Sequence, residues 1–308
     1  MMKFQANKIL VIKHGSLGDI AFSLTVINSI RKAYVSSEIH LLTEGRFINF
    51  FKRSNYFDQI IKDDRKNILL SLGLIFKIIS NKYDLIIDLQ NSQRTNFYSF
   101  LIKSIAKTKI SSSRSNAHFR YIYKKDDYKS ATEGLFNQLK LINVYEAENN
   151  FDWLDTEVNL NNSTVLLIPG VSKSGIKKQW MPLNFGKLAK YVSKKNLSVV
   201  VVGTSNDIET VRTIQKECPN IISMIDNSPP ELIYSIAKSS KLVVTNDTGP
   251  GHIASLSKSK ILWLAINNSV SNLNLPQNEF SFKILDENMS SIKIENVINF
   301  IETNNLLN

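Results

Sequence analysis

The chain has 308 residues, 43% of them hydrophobic and 21% charged, which is typical of a globular protein and excludes a disordered one. This length predicts two domains of roughly 150 residues each, since a single hydrophobic core seldom grows so large. The net charge of +11 favours anionic partners, and the single cysteine, Cys218, excludes an internal disulfide framework and a cysteine-based zinc site.

Short apolar segments alternate with helical patterns along the first half of the chain. Strands are predicted over residues 8–13, 38–43, 56–61 and 83–89, and helices over 68–79, over 95–107 and from residue 19 onward. The second half repeats this plan, with strands over residues 164–168, 197–202, 221–224, 242–245 and 261–264 and helices over 184–195, 208–216, 230–239, 251–257 and 290–306. Such alternation predicts an α/β fold, with a parallel sheet covered by helices on both faces in each half.

The polar stretch over residues 148–163 predicts a linker between the two halves. We therefore expect a first Rossmann-like domain over residues 1–158, a second over 159–289 and a C-terminal helix over 290–308. Two such domains facing each other would enclose a cleft at the carboxyl ends of their strands, where parallel sheets bind ligands.

Two loops of the first half carry unusual residues. After the first strand, Gly15 and Gly18 allow a ligand close to the backbone, and Asp19 lies at the start of a helix. Asp19 is either a helix cap or a general base, and the sequence leaves both interpretations open. The glycine spacing is not Gly-x-Gly-x-x-Gly, which disfavours a nicotinamide cofactor. In a later loop, Gln90 and Arg94 would face the same cleft, where Arg94 either binds an anionic acceptor or belongs to a helix cap at the surface.

In the second half, the loop over residues 169–180 approaches a phosphate-binding loop. Its two glycines have the spacing of a Walker A motif, but Ile176 stands where lysine is required. The hydroxyls of Ser172 and Ser174 and the ammonium groups of Lys173, Lys177 and Lys178 nevertheless suit a diphosphate. A solvated basic loop is the alternative interpretation of the same residues.

A second loop of this half follows the strand over residues 242–245. It places the carboxylate of Asp247, the hydroxyl of Thr248 and the bare backbone of Gly249 at the start of a predicted helix, with His252 one turn later. Such an arrangement favours a nucleotide phosphate. No Asp-x-Asp triplet occurs in the chain, so a metal ion is not indicated.

Taken in order, these loops resemble the bacterial heptosyltransferases of glycosyltransferase family nine, which build the inner core of lipopolysaccharide. The resemblance runs from about residue 8 to residue 265. It is carried by residues 9–20, residues 83–94, the segment 169–180 and the Asp-Thr-Gly-x-x-His motif of residues 247–252.

The resemblance implies a GT-B fold, in which the first domain binds the acceptor and the second binds the nucleotide-sugar, typically ADP-heptose. It implies that Asp19 is the general base and that Lys178 binds phosphate in an inverting, metal-independent transfer without a cofactor. The expected donor-binding residues are Ser172, Ser174, Glu209, Asp247, Thr248, Gly249 and His252. The expected acceptor-binding residues are Gly15, Gly18, Gln90 and Arg94.

Two alternatives stay open at this point. One is another enzyme of the same fold, a transferase or an epimerase, that uses a UDP- or GDP-sugar. The other is a non-enzymatic binder of nucleic acid or of an anionic surface, although dispersed lysines disfavour nucleic acid. No signal-peptide core or membrane-spanning segment is apparent, so we expect a cytoplasmic protein, with attachment to the inner-membrane surface left open.

Overall fold

The computed structural model describes residues 3–64, 68–124, 129–160 and 163–308. The chain divides into two compact units, unit 1 (Met1–Trp153) and unit 2 (Leu154–Asn308). This division falls inside the segment 148–163 predicted as a linker, of which Asn161 and Asn162 lie outside the described residues.

Unit 1 is built on a six-stranded sheet. Its strands are β1 (Lys8–Ile12), β2 (Glu38–Thr43), β3 (Gln59–Lys62), β4 (Leu85–Asp88), β5 (Lys109–Ser112) and β6 (Phe119–Arg120). Its helices are α1 (Leu17–Ala33), α2 (Ile48–Lys52), α3 (Ile68–Ser80), α4 (Gln93–Ile105) and α5 (Ala131–Lys140). The strand order is β3-β2-β1-β4-β5-β6 and every pairing is parallel, which confirms the predicted sheet.

Strand β1 lies at the centre of this sheet. Val11 pairs with Leu41 of β2 on one side and with Ile87 of β4 on the other. Helices α3 and α4 pack in one hydrophobic cluster with the sheet, and α1 packs against α5. The run of buried apolar residues in β1 follows from this position, since a central parallel strand is covered on both faces.

Unit 2 repeats the architecture with a second six-stranded parallel sheet in the order β12-β11-β10-β7-β8-β9. Its strands are β7 (Thr164–Ile168), β8 (Ser198–Gly203), β9 (Ile222–Ile225), β10 (Ser240–Asn246), β11 (Ile261–Ile266) and β12 (Ser281–Asp286). Its helices are α6 (Pro182–Ser193), α7 (Ile208–Glu217), α8 (Pro230–Lys238), α9 (Gly249–Ser255), α10 (Ser269–Asn274) and α11 (Ile294–Thr303). Because β7 and β10 are neighbours, with Ile168 opposite Thr245, the loops that follow them lie side by side.

The sequence pattern missed several elements and misplaced five helix starts, those of α1, α4, α6, α9 and α11, by two to four residues. Strand β5 was not predicted because Ser111 and Ser112 interrupt its apolar pattern. Both serines are nevertheless buried in this strand, which pairs with β4. The elements α2, β6, α5, α10 and β12 were also missed. Helix α1 begins at Leu17, not at Asp19, because the hydroxyl of Ser16 caps it.

Candidate functional site

The loop between β1 and α1 holds Asp19 in a fixed position. Its Oδ2 accepts hydrogen bonds from the backbone N and the hydroxyl of Ser16, each at 2.7 Å, while the Ser16 hydroxyl accepts from the Asp19 N–H at 3.3 Å. This is a capping box, in which Ser16 is the N-cap residue and Asp19 occupies the third helical position. Gly15 has a φ of +109°, and a Cβ on it would lie 2.6 Å from Asp19 Oδ2. Only glycine fits here, because the carboxylate closes over its backbone.

A surface cavity of about 640 Å³ adjoins this loop in unit 1. Its lining includes Glu44, Arg46 and Lys62. Glu44 Oε1 accepts a hydrogen bond from Gly15 N at 3.2 Å, and Arg46 Nη2 donates one to Gly15 O at 2.6 Å. The side chains that line the cavity therefore also hold the backbone beside Asp19.

A buried lysine, Lys13, lies at the end of β1 beside the same loop. Its Nζ donates to the carbonyl oxygen of Leu89 at 3.4 Å. Burial lowers the pKa of the Lys13 ammonium, and the carboxylates of Asp19 and Asp88 oppose that shift. The side chain of Gln90 accepts a hydrogen bond from His14 N at 3.1 Å and so ties the two loops together.

Arg94 lies in a buried polar cluster around Asp63. Its Nη2 donates to Ser71 Oγ at 2.8 Å and lies 3.6 Å from Asp63 Oδ1. Asp63 Oδ2 accepts from the hydroxyl of Tyr98 at 3.0 Å and lies 3.4 Å from His14 Nε2. Arg94 is therefore already engaged by a carboxylate, and a bound anion would share it with Asp63.

In unit 2, the side chain of Asn246 fixes the loop after β7. Asn246 Nδ2 donates to Pro169 O at 2.8 Å, and its Oδ1 accepts from Trp180 N at 3.0 Å. The indole Nε1 of Trp180 donates to Ile292 O at 2.7 Å, and the side chain is fully buried. These bonds anchor the end of the loop two residues beyond Lys178.

Lys178, Asp247 and His252 meet at the carboxyl edge of the second sheet. Lys178 Nζ donates to Asp247 Oδ2 at 2.8 Å, and His252 Nε2 donates to Asp247 Oδ1 at 3.1 Å. The Asp247 side chain is 4% exposed and that of Lys178 is 34% exposed. Burial raises the pKa of the Asp247 carboxyl, but the hydrogen bonds from His252 and Lys178 outweigh it and leave that pKa below its ordinary value. The site thus presents a fixed carboxylate beside a solvent-accessible ammonium.

Close packing beneath this site explains two of its glycines. A Cβ on Gly251 would lie 2.6 Å from Thr245 Oγ1, and the His252 ring packs on Trp263 with centroids 4.8 Å apart. A Cβ on Gly170 would lie 2.6 Å from Asp207 Oδ1. Both glycines therefore allow the loops to approach buried side chains at distances that no Cβ permits.

The other predicted donor residues surround this edge. Ser172 and Ser174 are exposed and lie 3.2 Å apart through their hydroxyls, and Thr248 is the N-cap residue of α9, which begins at Gly249. Glu209 lies in the first turn of α7, where it is exposed and pairs with Arg212 at 2.6 Å.

Sequence reasoning missed three residues that shape these sites. Asn246 and Lys13 are polar residues in or directly after a buried strand, a signal that was available in the pattern. Asp63 gave no such signal, because only the fold brings it to His14 and Arg94.

Comparison with known proteins gives consistent results. A family model described as glycosyltransferase family 9 (heptosyltransferase) matches residues 72–262. Lipopolysaccharide heptosyltransferase 1 from Campylobacter coli is 24% identical over 281 residues, which cover 80% of each chain. In the part of the chain that the structure describes, no helix is long and apolar enough to cross a bilayer.

Solved structures share the fold over almost the whole chain. The glycosyl transferase family 9 protein from Veillonella parvula has a TM-score of 0.80 at 18% identity, covering 99% of this chain and 98% of that one. The E. coli heptosyltransferase WaaC with ADP-2-deoxy-2-fluoro heptose has a TM-score of 0.73 at 13% identity, covering 96% and 99%. These likenesses confirm the two-sheet α/β fold of the GT-B type.

Proposed function

This chain belongs to glycosyltransferase family 9, the heptosyltransferase family, and we propose that it transfers heptose from ADP-heptose to the core of a lipopolysaccharide acceptor. The names of its relatives support this choice of substrates, since one is a lipopolysaccharide heptosyltransferase and another was solved with an ADP-heptose analogue. Membership of the family makes the chain a glycosyltransferase, and the identities of its donor and acceptor are our proposal.

The observation that carries the proposal is the contact of Lys178 with Asp247. The two residues are far apart in the chain, yet the ammonium lies 2.8 Å from a buried carboxylate that His252 also holds. A lysine oriented in this way offers its exposed side to a diphosphate, while Asp247 offers its carboxylate to sugar hydroxyls. The hydroxyls of Ser172, Ser174 and Thr248 and the backbone of Gly249 complete the donor site, and Glu209 binds the ribose.

In the proposed reaction, an acceptor hydroxyl attacks the anomeric carbon as the bond from that carbon to the diphosphate oxygen breaks. The carboxylate of Asp19 takes the proton of the attacking hydroxyl, a contribution of about 10²–10⁴-fold to the rate. Its capping box supports this role, because the bonds from Ser16 hold the carboxylate in one orientation. The configuration at the anomeric carbon inverts.

The departing ADP gains negative charge as the bond breaks. Lys178 stabilises that charge, and its anchoring through Trp180 and Asn246 means that little reorganisation is needed when the charge develops. No metal or other cofactor takes part in this proposal.

The acceptor binds unit 1 and is an anionic glycolipid of the cytoplasmic face of the inner membrane. The 640 Å³ cavity supports this assignment by its position, since Glu44 and Arg46 of its lining bond the backbone of Gly15 next to the proposed base. Its two cations, Arg46 and Lys62, are paired with Glu44 at 2.9 Å and with Asp64 at 2.8 Å. Gly18, Gln90 and Arg94 contribute to the same acceptor region.

Calorimetric titration of the full chain with ADP, UDP and GDP tests the donor assignment. We expect ADP to bind most tightly, and Gly249→Val to abolish its binding because a branched side chain occupies space needed by the phosphate. A preference for UDP or GDP would contradict the proposal and favour another sugar-nucleotide enzyme of the same fold. Acceptor-dependent release of ADP from ADP-heptose then tests the transfer itself.

A further inference from the structure

We propose that the outward faces of α3 and α4 in unit 1 form a docking surface for an anionic lipid bilayer. Helix α3 buries Ile75 and Ile78, and α4 buries Tyr98 and Ile102, in the same hydrophobic cluster against the sheet. Since both helices cover one face of that sheet, their opposite sides point to solvent on the same side of unit 1.

This outward surface is unusually apolar for a solvent-exposed one. Phe76 of α3 is 65% exposed, and on α4 Phe97, Phe100 and Ile105 are 38%, 52% and 62% exposed. Phe97 and Phe100 are three residues apart, so they are neighbours on one stripe of α4. Several exposed apolar side chains of this size on two neighbouring helices mark an interaction surface, whereas single ones are ordinary.

The two helices themselves carry charges of one sign only. No aspartate or glutamate occurs in residues 65–83 or in residues 89–125, although the second segment contains eight lysines and arginines. Lys77, Lys103 and Lys107 are exposed in or next to the two helices. Lysines of this kind bind anionic headgroups, and their aliphatic stems lie along apolar surface.

This combination selects a bilayer over a second copy of the chain. Two copies meeting through this face would bring like charges together, which opposes association. An anionic bilayer supplies both complements at once, with headgroups for the lysines and acyl chains for the phenylalanines. The proposal places both helices in the plane of the interface, with their outward faces toward the acyl chains.

This inference rests on the proposed function in one respect, because a glycolipid acceptor lies in a bilayer and an enzyme that uses it must reach that bilayer. The docking surface itself is derived from unit 1 alone. Its test therefore uses neither donor nor acceptor, so that vesicle binding and sugar transfer succeed or fail separately.

The experiment is co-sedimentation of the full chain with vesicles. One set contains equal parts of phosphatidylglycerol and phosphatidylcholine, and the other contains phosphatidylcholine alone. The test variants are Phe97→Gln/Phe100→Gln and Lys103→Glu/Lys107→Glu, all at exposed positions where folding tolerates the change. The controls are Val35→Gln, an exposed apolar residue elsewhere in unit 1, and Lys187→Glu/Lys190→Glu, which makes the same charge change on α6.

We expect the wild-type chain to sediment with the anionic vesicles and to bind phosphatidylcholine alone at least about tenfold more weakly, since each lysine contributes about fivefold. Both test variants should lose about tenfold or more of the binding to anionic vesicles, and both controls should retain it. An unbound wild type, or equal losses in the Lys187→Glu/Lys190→Glu control, overturns the proposal. The proposal is also overturned if the wild-type chain is a dimer that does not bind vesicles and Phe97→Gln/Phe100→Gln dissociates that dimer.

Discussion

Replacing Lys178 by alanine separates a dedicated phosphate contact from general positive charge. The Lys178 side chain is 34% exposed, but that of Asp247 is only 4% exposed and would retain the hydrogen bond from His252. Loss of the ion pair should therefore cost about 1–3 kcal/mol of folding stability. A hydrogen bond to a charged group contributes about 1.5–3 kcal/mol, so ADP affinity should fall about 10- to 150-fold. Loss of charge stabilisation in the transition state should lower kcat about 10²–10³-fold.

Three measurements check this expectation, namely ADP titration calorimetry, the rate of ADP release and urea denaturation. Lys177→Ala is the matched control, because it removes an exposed lysine from the same turn. Equal losses in Lys177→Ala and Lys178→Ala would refute a specific contact. The double variant Lys178→Ala/Asp247→Asn adds a second check. If it recovered full ADP affinity, Lys178 would serve only to neutralise Asp247.

Four further outcomes are expected. Asp19→Asn should lower turnover about 100-fold or more and leave ADP affinity unchanged, whereas Glu133→Gln, at the same third position of α5, should leave turnover unchanged in the same assay. Gly251→Ala places a methyl group 2.6 Å from a buried hydroxyl oxygen and should lower the free energy of unfolding by about 1–3 kcal/mol in urea. Gly73→Ala, where nothing lies within 4 Å of the added Cβ, should raise it by about 0.5–1 kcal/mol. Burial raises the pKa of Tyr34 to about 12, so this tyrosine loses its proton at a lower pH in the unfolded chain than in the folded one. The free energy of unfolding should therefore fall as pH rises from about 10 to 12, and it should fall less steeply in Tyr34→Phe.

The periodicity of the sequence predicted most of the fold. Strands β1 and β7 are buried on both faces, so nearly all of their residues must be apolar. Such a continuous apolar run is visible in the local sequence. The loops after these strands were equally predictable as sites, because a parallel sheet binds ligands at its carboxyl edge whatever the sequence between its strands. The sequence pattern therefore indicates Asp247 and the lysines of the 169–180 loop as candidate site residues, and the family resemblance selects Lys178 among those lysines.

What the tertiary structure decided is which of these residues touch. Lys178 and Asp247 are 69 positions apart, and they meet because β7 and β10 are neighbours in the sheet, a pairing that no local pattern encodes. The polar cluster around Asp63 and the shared exposed face of α3 and α4 depend on the same kind of long-range pairing. Hydrophobic periodicity shows which side of a segment faces the core and which faces solvent. It does not show which distant segment packs beside it.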